Sequence, residues 1–349
     1  MSITTQLTHS AETWQYLKGM VSLYKPADYP VGSLVKMLKH RLAADLNCMQ
    51  RSSESEPHLL TDGDGGVVTS SGREVMERGG GEVQDYSSHP AVLGPGYDPE
   101  DIKTRVVNPL GQKSSGVLLV GINSSGIREA QALRSAKLMR TYHIRGEFGR
   151  ATSTGWAGGR TVKCDGWTGA VSRPWMIQQM LANISSANQA RAWAVSEVGA
   201  DTQEGYELAL KGPVRPKLPS ETLVYNIKLK ELQAPLFLLE LHSIDSQSDR
   251  DQQHLVDLVA EVGLKCKTVC HVHSVRCGAL GPWTADTTLL PKELTLQNIL
   301  NNISQNRRLY RQYIAKPGGL YNSNIKYKPK PKERTVVDAV DSESHSDSL

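Results

Sequence analysis

The chain reads as an α+β protein, with a mixed central sheet flanked by helices in one principal domain. Three observations predict this. Short apolar runs bounded by glycine or turn residues, at 116–121 and 236–241, have the form of buried strands. Segments with helical apolar spacing, at 127–139, 174–184 and 251–262, are interspersed with them. The 349 residues, 39% of them hydrophobic, suffice for one substantial core, and no run approaches the roughly 18 to 20 apolar residues a membrane helix needs.

In chain order, residues 1–20 form an extension and 13–46 are ordered, with Leu34, Leu38 and Leu42 at helical spacing. Residues 51–88 are rich in Gly, Ser and acidic side chains; they are expected to be a flexible insertion, because they cannot repay their ordering entropy. Order returns at His89. Residues 141–148 alternate as a strand does, and 203–211 read as a helix. Pro174 sits near a helix start, where its missing N–H is harmless. In 251–262, Leu255, Leu258, Val259 and Val262 share one face, and Gly263 falls where a helix C-cap belongs. Residues 268–275 return to strand, and a last helix covers 294–313 within a C-terminal piece spanning 291–315. The tail 316–349, a basic proline-spaced run (326–334) and then an acidic tip, is expected to be disordered.

The net charge of +4 permits a polyanionic partner without demanding one. The five cysteines, an odd and sparse set, point to a reducing compartment. Residues 1–20 contain no arginine and set Glu12 against Lys18, unlike an Arg-rich import leader. Cys266, Cys270, His271, His273 and Cys277 crowd one stretch but lack the two paired knuckles of a structural zinc site, and neighbours on a strand point to opposite faces. No metal is therefore expected, nor a phosphate-cradling glycine loop.

An ordered series of short motifs carries more information. Tyr24-Lys25-Pro26 comes first, then Pro109-Leu110-Gly111-Gln112-Lys113-Ser114-Ser115-Gly116 leading into Val117-Leu118-Leu119-Val120-Gly121. Thr141-Tyr142 opens a strand ending at Gly149, Tyr206 and Gly212 share a helical segment, and His271-Val272 precedes Val275-Arg276-Cys277. In this order the pieces resemble the TruB family of pseudouridine synthases, most closely its mitochondrial branch, over about residues 23–290.

The resemblance implies a pseudouridine synthase-like catalytic domain at 21–290, no cofactor, RNA as partner (mitochondrial mRNA, tRNA or rRNA), possible company of RNA-granule or ribosome-assembly proteins, and the mitochondrial matrix as location. It implies an aspartate nucleophile five residues before Gly116, but Gly111 stands there; a three-residue slip brings Asn108 instead, still no carboxylate. The family's cleft arginine maps near Gln252 or Gln253, with Arg250 close, and the second arginine of the late pair is Cys277. Lys25, Tyr142, Tyr206 and Arg276 become the RNA- or base-binding residues. Each has a plainer reading: a solvated face for Lys25 and Arg276, core packing for Tyr142 and Tyr206. The functional expectation is a catalytically impaired RNA-binding protein. The competing class is an active isomerase using a displaced acid such as Asp98 or Asp101, and the third is a protein–protein scaffold.

Overall fold

The computed structural model describes residues 10–49, 60–61, 67–68, 96–171, 174–196, 198–199, 201–210, 222–245 and 252–315. In order these form α1 (Ser10–Tyr16), β1 (Gly19–Lys25), α2 (Val31–Cys48), β2 (Leu60–Thr61), β3 (Val67–Val68), β4 (Thr104–Val106) and β5 (Ser115–Ile122). There follow α3 (Asn123–Ser135), β6 (Arg140–Phe148), β7 (Arg150–Thr152), β8 (Thr161–Cys164), α4 (Thr168–Val171), α5 (Pro174–Ser196) and α6 (Gln203–Leu210). The last are β9 (Leu223–Gln233), β10 (Leu236–Ile244), α7 (Gln253–Lys265), β11 (Cys270–Leu280), β12 (Trp283–Thr284) and α8 (Leu296–Ala315).

Eight strands make one mixed sheet in the order β1-β5-β11-β6-β10-β9, with β4 beside β5 and β12 beside β11. The β5–β11 junction is parallel, with Arg276 and Cys277 opposite Ser115 and Gly116. Gly116 makes this junction possible. Its φ is +122°, and a Cβ there would lie 2.1 Å from the Cys277 carbonyl oxygen, so any side chain would force the two strands apart.

Both faces of β5 are covered, which accounts for its unbroken apolar run. Leu118, Val120 and Ile122 pack into a core shared with Leu34, Leu38 and Leu42 of α2. Val117 and Leu119 pack against Ala130 and Leu133 of α3, with Leu309 and Tyr310 of α8 alongside. On β6 the buried positions alternate, with Tyr142, Ile144 and Phe148 facing the larger core.

Several boundaries differ from the sequence reading. Helix α3 begins at Asn123, whose side-chain amide donates to the Leu17 carbonyl at 2.8 Å, and it stops at Ser135, before Lys137 turns the chain with φ 48°. Helix α5 runs on to Ser196. Gly263 is not a C-cap but lies inside α7, where a Cβ would meet the Cys270 nitrogen and thiol at 2.9 Å. It lets α7 lie close on β11.

The ends belong to the same packing unit. Leu17 is fully buried, and Trp14 stacks on Tyr97 at 5.0 Å. Helix α8 lies along β1: the Ser22 N–H donates to Asn302 Oδ1 at 2.8 Å, and Asn306 Nδ2 donates to the Met20 carbonyl at 3.0 Å. The 51–88 insertion, apart from the residues of β2 and β3, and the 316–349 tail lie outside the described residues.

Candidate functional site

The turn at 111–114 leads straight into β5 and is closed by the Ser114 N–H donating to the Gly111 carbonyl at 3.2 Å. It is held from below by Lys25, the last residue of β1. That side chain is 0% exposed; its ammonium donates to the carbonyls of Pro26 (2.9 Å), Gln112 (2.8 Å) and Ser114. A lysine ammonium has three protons, and all three are used. Burial pulls its pKa down to about 8, with Asp28 acting the other way. Lys25 therefore anchors the turn, its ammonium directed at three carbonyls of the chain. Asn108, also buried, donates from Nδ2 to the Val117 carbonyl (2.8 Å) and accepts at Oδ1 from the Leu119 N–H (2.9 Å). Its amide serves as a missing strand partner for β5.

Beneath the turn runs a chain of buried polar groups. Ser114 Oγ bonds to Gln252 Oε1; Gln252 Nε2 donates to the Tyr142 hydroxyl at 2.9 Å; and that hydroxyl bonds to Asp245 Oδ2. Arg140 Nη1 reaches both Asp245 Oδ2 (2.9 Å) and the Tyr142 hydroxyl (3.1 Å), while Ser243 Oγ donates to Asp245 Oδ1 at 2.6 Å. Burial by itself would raise the Asp245 pKa, but the Arg140 guanidinium, His254 and Ser243 hold it well below the usual carboxylate range. Burial pushes the Tyr142 phenol well above its ordinary value and the Cys277 thiol up to about 12. Tyr142 is 0% exposed. It is the hub of this network, a core aromatic rather than an open stacking platform.

The other two expected residues lie elsewhere. Val275 and Cys277 turn inward on β11, so Arg276 occupies the opposite sheet face, its guanidinium 5.7 Å from the centroid of the Tyr24 ring. Tyr206 on α6 is 60% exposed and does not line the cleft described next. Lys25 and Tyr142 share a face; Arg276 and Tyr206 do not join them.

Above the turn opens a cleft of about 580 Å³, lined by Gln112 and Lys113 of the turn, Trp156 and its preceding loop, Gln253 and Val256 of α7, and Asp28. The Lys113 ammonium lies 5.4 Å from the centroid of the Trp156 ring. Trp156 is fixed because its loop pairs with β11: the Val272 N–H donates to the Gly155 carbonyl and the Ala157 N–H to the Val272 carbonyl, both at 2.8 Å. Gln252, in the left-handed region at φ 58°, points down into the network, while Gln253 faces the cleft; Arg250 lies outside the described residues. Among the described lining residues, Asp28 is the sole carboxylate.

Asp98 and Asp101 are not near this cleft. They share an exposed turn beside Tyr97, which bonds to Asn47, and the following Lys103 accepts from Asn123 at the far end of β5. The length of β5, about 23 Å at ordinary strand rise, separates them from the turn. His271 is likewise committed: its Nδ1 faces the Arg150 carbonyl at 3.0 Å, and its Nε2 meets Arg150 Nη2 at 3.0 Å. The same Nε2 lies 3.3 Å from Glu147 Oε2.

The mixed sheet, its parallel junction at a glycine-opened strand and the cleft over the turn before that strand make up the candidate site. Residues 107–246 match the family model described as TruB family pseudouridylate synthase (N terminal domain). Over those residues the chain is similar to the TruB family. It is 28% identical over 292 residues to the pseudouridylate synthase TRUB2, mitochondrial, of Xenopus tropicalis, covering 83% of this chain and 86% of the relative. To the human protein of the same name it is 28% identical over 289 residues, covering 82% and 83%. Among solved structures, the archaeal box H/ACA sRNP Nop10-Cbf5 complex is similar at a TM-score of 0.40 and 13% identity, covering 83% of this chain and 60% of that chain.

Proposed function

We propose that the chain binds mitochondrial RNA in the cleft above the 111–114 turn and holds a uridine there without isomerising it at an enzymatic rate. One observation carries this reading: the turn that in the family bears the nucleophilic aspartate has Gly111 at that place, and the carboxylate nearest in the network, Asp245, is buried and fully engaged. Its Oδ2 meets Arg140 and Tyr142 and its Oδ1 meets Ser243 and, at 3.4 Å, His254, so the group is spent on the network and not turned to a sugar or a base. The cleft itself retains what binding needs. Its volume falls in the range of ligand pockets, about 300 to 1,000 Å³. The Lys113–Trp156 pair offers a ring for an extruded base and a cation for its phosphate. The RNA is an mRNA, tRNA or rRNA of the mitochondrial matrix, and ribosome-assembly or RNA-granule proteins are the natural company of such a factor.

Asp28 favours a second reading, an isomerase with a relocated acid, because it is the carboxylate that lines the cleft. The test is a titration of the full chain with labelled mitochondrial tRNA and mRNA transcripts, followed by nucleoside analysis of the bound RNA. Binding without pseudouridine is expected, and Gly111→Asp should restore a trace of product. Rapid product formation by the unaltered chain would move the protein to the second reading.

A further inference from the structure

The charge of this protein is not spread evenly. Helices α3 and α8 together carry Arg128, Arg134, Arg307, Arg308 and Arg311 against Glu129 alone. That surplus is as large as the +4 of the whole chain. The C-terminal half of α8 packs on the same sheet face as α3, Leu309 and Tyr310 lying in one cluster with Ala130 and Leu133. Arg128, Arg308 and Arg311 are exposed, and none of the three has an ion pair among the described residues. Arg307 donates to the Lys18 carbonyl at 2.9 Å, which brings Lys18 to the rim. Glu129 sits half-buried among Arg128, Arg307 and Arg311; burial pushes its pKa up and the guanidiniums pull it back.

We propose that the arginine surface of α3 and α8 is a second RNA site, which takes the phosphate backbone of the RNA whose uridine enters the cleft. The proposal rests on the RNA reading of the cleft. Guanidiniums that outnumber their one carboxylate neighbour pair with phosphates in fork geometry. The rest of the exposed side of α8 is amide, with Gln297, Asn301, Gln305 and Gln312, groups that hydrogen-bond to 2′-hydroxyls and base edges. An anionic lipid surface would instead call for apolar residues to insert beside the charges, and the exposed residues described on α8 include none. The surface lies at the Gly19 end of β1, about 20 Å from the Lys25 end under the cleft and on the other sheet face. A short oligonucleotide therefore cannot reach both sites, whereas a folded RNA can.

The experiment compares the full chain with the triple variant Arg128→Gln, Arg308→Gln, Arg311→Gln, which leaves Arg307 and its backbone bond in place. Affinities are measured across a salt series for a tRNA transcript and for a short uridine-containing oligonucleotide sized to the cleft. For the transcript, the log–log salt slope should shrink by about 2, at about 0.7 per lost phosphate contact; the short oligonucleotide should bind as before. The matching Arg→Lys triple should recover most of the slope, which separates charge loss from misfolding. An unchanged transcript slope overturns the second site and leaves the cleft reading standing. Failure of the unaltered chain to bind any RNA overturns both. Capture of anionic phospholipid vesicles, lost in the triple variant while RNA binding stays intact, would reassign the surface to a membrane.

Discussion

The polar residues below the 111–114 turn and those above it have opposite fates. Below it, Lys25, Ser114, Gln252, Tyr142, Asp245 and Arg140 are buried and hydrogen-bonded to one another or to backbone carbonyls. Above it, Gln112, Lys113, Gln253 and Asp28 face an open cleft beside Trp156. The lower set fixes the turn and the upper set is left for a ligand. The upper set keeps one carboxylate, Asp28, facing the cleft, while the fully paired one, Asp245, lies in the lower set, where ionisation serves stability.

The largest expected effect is in the lower set. Asp245→Asn should cost about 3 to 5 kcal/mol near neutral pH, because it strands the buried Arg140 charge. Thermal unfolding would show a drop of roughly 10 °C. The combined Arg140→Met, Asp245→Leu variant should lose less, since no charge is left unpaired. The pH dependence has a definite sign. The Asp245 pKa is lowered on folding, so its contribution is complete above the ordinary Asp value of about 3.9 and disappears as pH falls through the lowered one. The deficit of Asp245→Asn should therefore narrow below about pH 4. A deficit independent of pH would mean the pair contributes shape and not charge.

Next comes Tyr142→Phe, expected to cost about 1 to 3 kcal/mol by leaving the Gln252 amide and one lobe of Asp245 without their shared partner. Were Tyr142 an open stacking residue, the change would spare stability and weaken RNA binding; denaturant unfolding and RNA titration together distinguish the two.

Lys25 gives a subtler effect. Its pKa falls on folding to about 8 from 10.5, so the unfolded chain holds the extra proton between those values and Lys25's contribution rises with pH across that window. Urea unfolding at both ends of the window should show unaltered protein gaining on Lys25→Met as pH rises. The smallest stability effect belongs to the upper set: Lys113→Gln should stay within about 0.5 kcal/mol. Its RNA affinity should nevertheless fall roughly two- to fivefold, the weight of an exposed cation–π pair.

Much of the framework was legible because it follows local rules. Gly116 and the apolar run behind it marked β5, Leu34, Leu38 and Leu42 marked α2, and the alternation around Tyr142 marked β6. The turn with Gly111 could be located from the same run. What sequence reading missed depends on pairing between distant segments. Lys25 looks like a solvated lysine until three carbonyls close on it, two of them from the distant turn. Asp245 meets Arg140 because Ser243 pairs with Arg140 across β10 and β6, a register that no local pattern encodes. The shifts in β11 between Val272 and Ser274 and between Cys277 and Ala279 break simple alternation, so the faces of Arg276 and its neighbours could not be counted from the sequence alone.

The central claim is that the site binds uridine but has no carboxylate placed to attack. Single-turnover release of tritium from uridine-labelled mitochondrial RNA, with the full chain in excess, tests it most directly. Loss of the central group of such a site costs roughly 10⁴ to 10⁶ in rate, so the account predicts no release above that of RNA alone on the timescale of minutes. Rapid release that disappears in Asp28→Asn would contradict it, by showing that the reactive carboxylate has moved across the cleft and has not been lost.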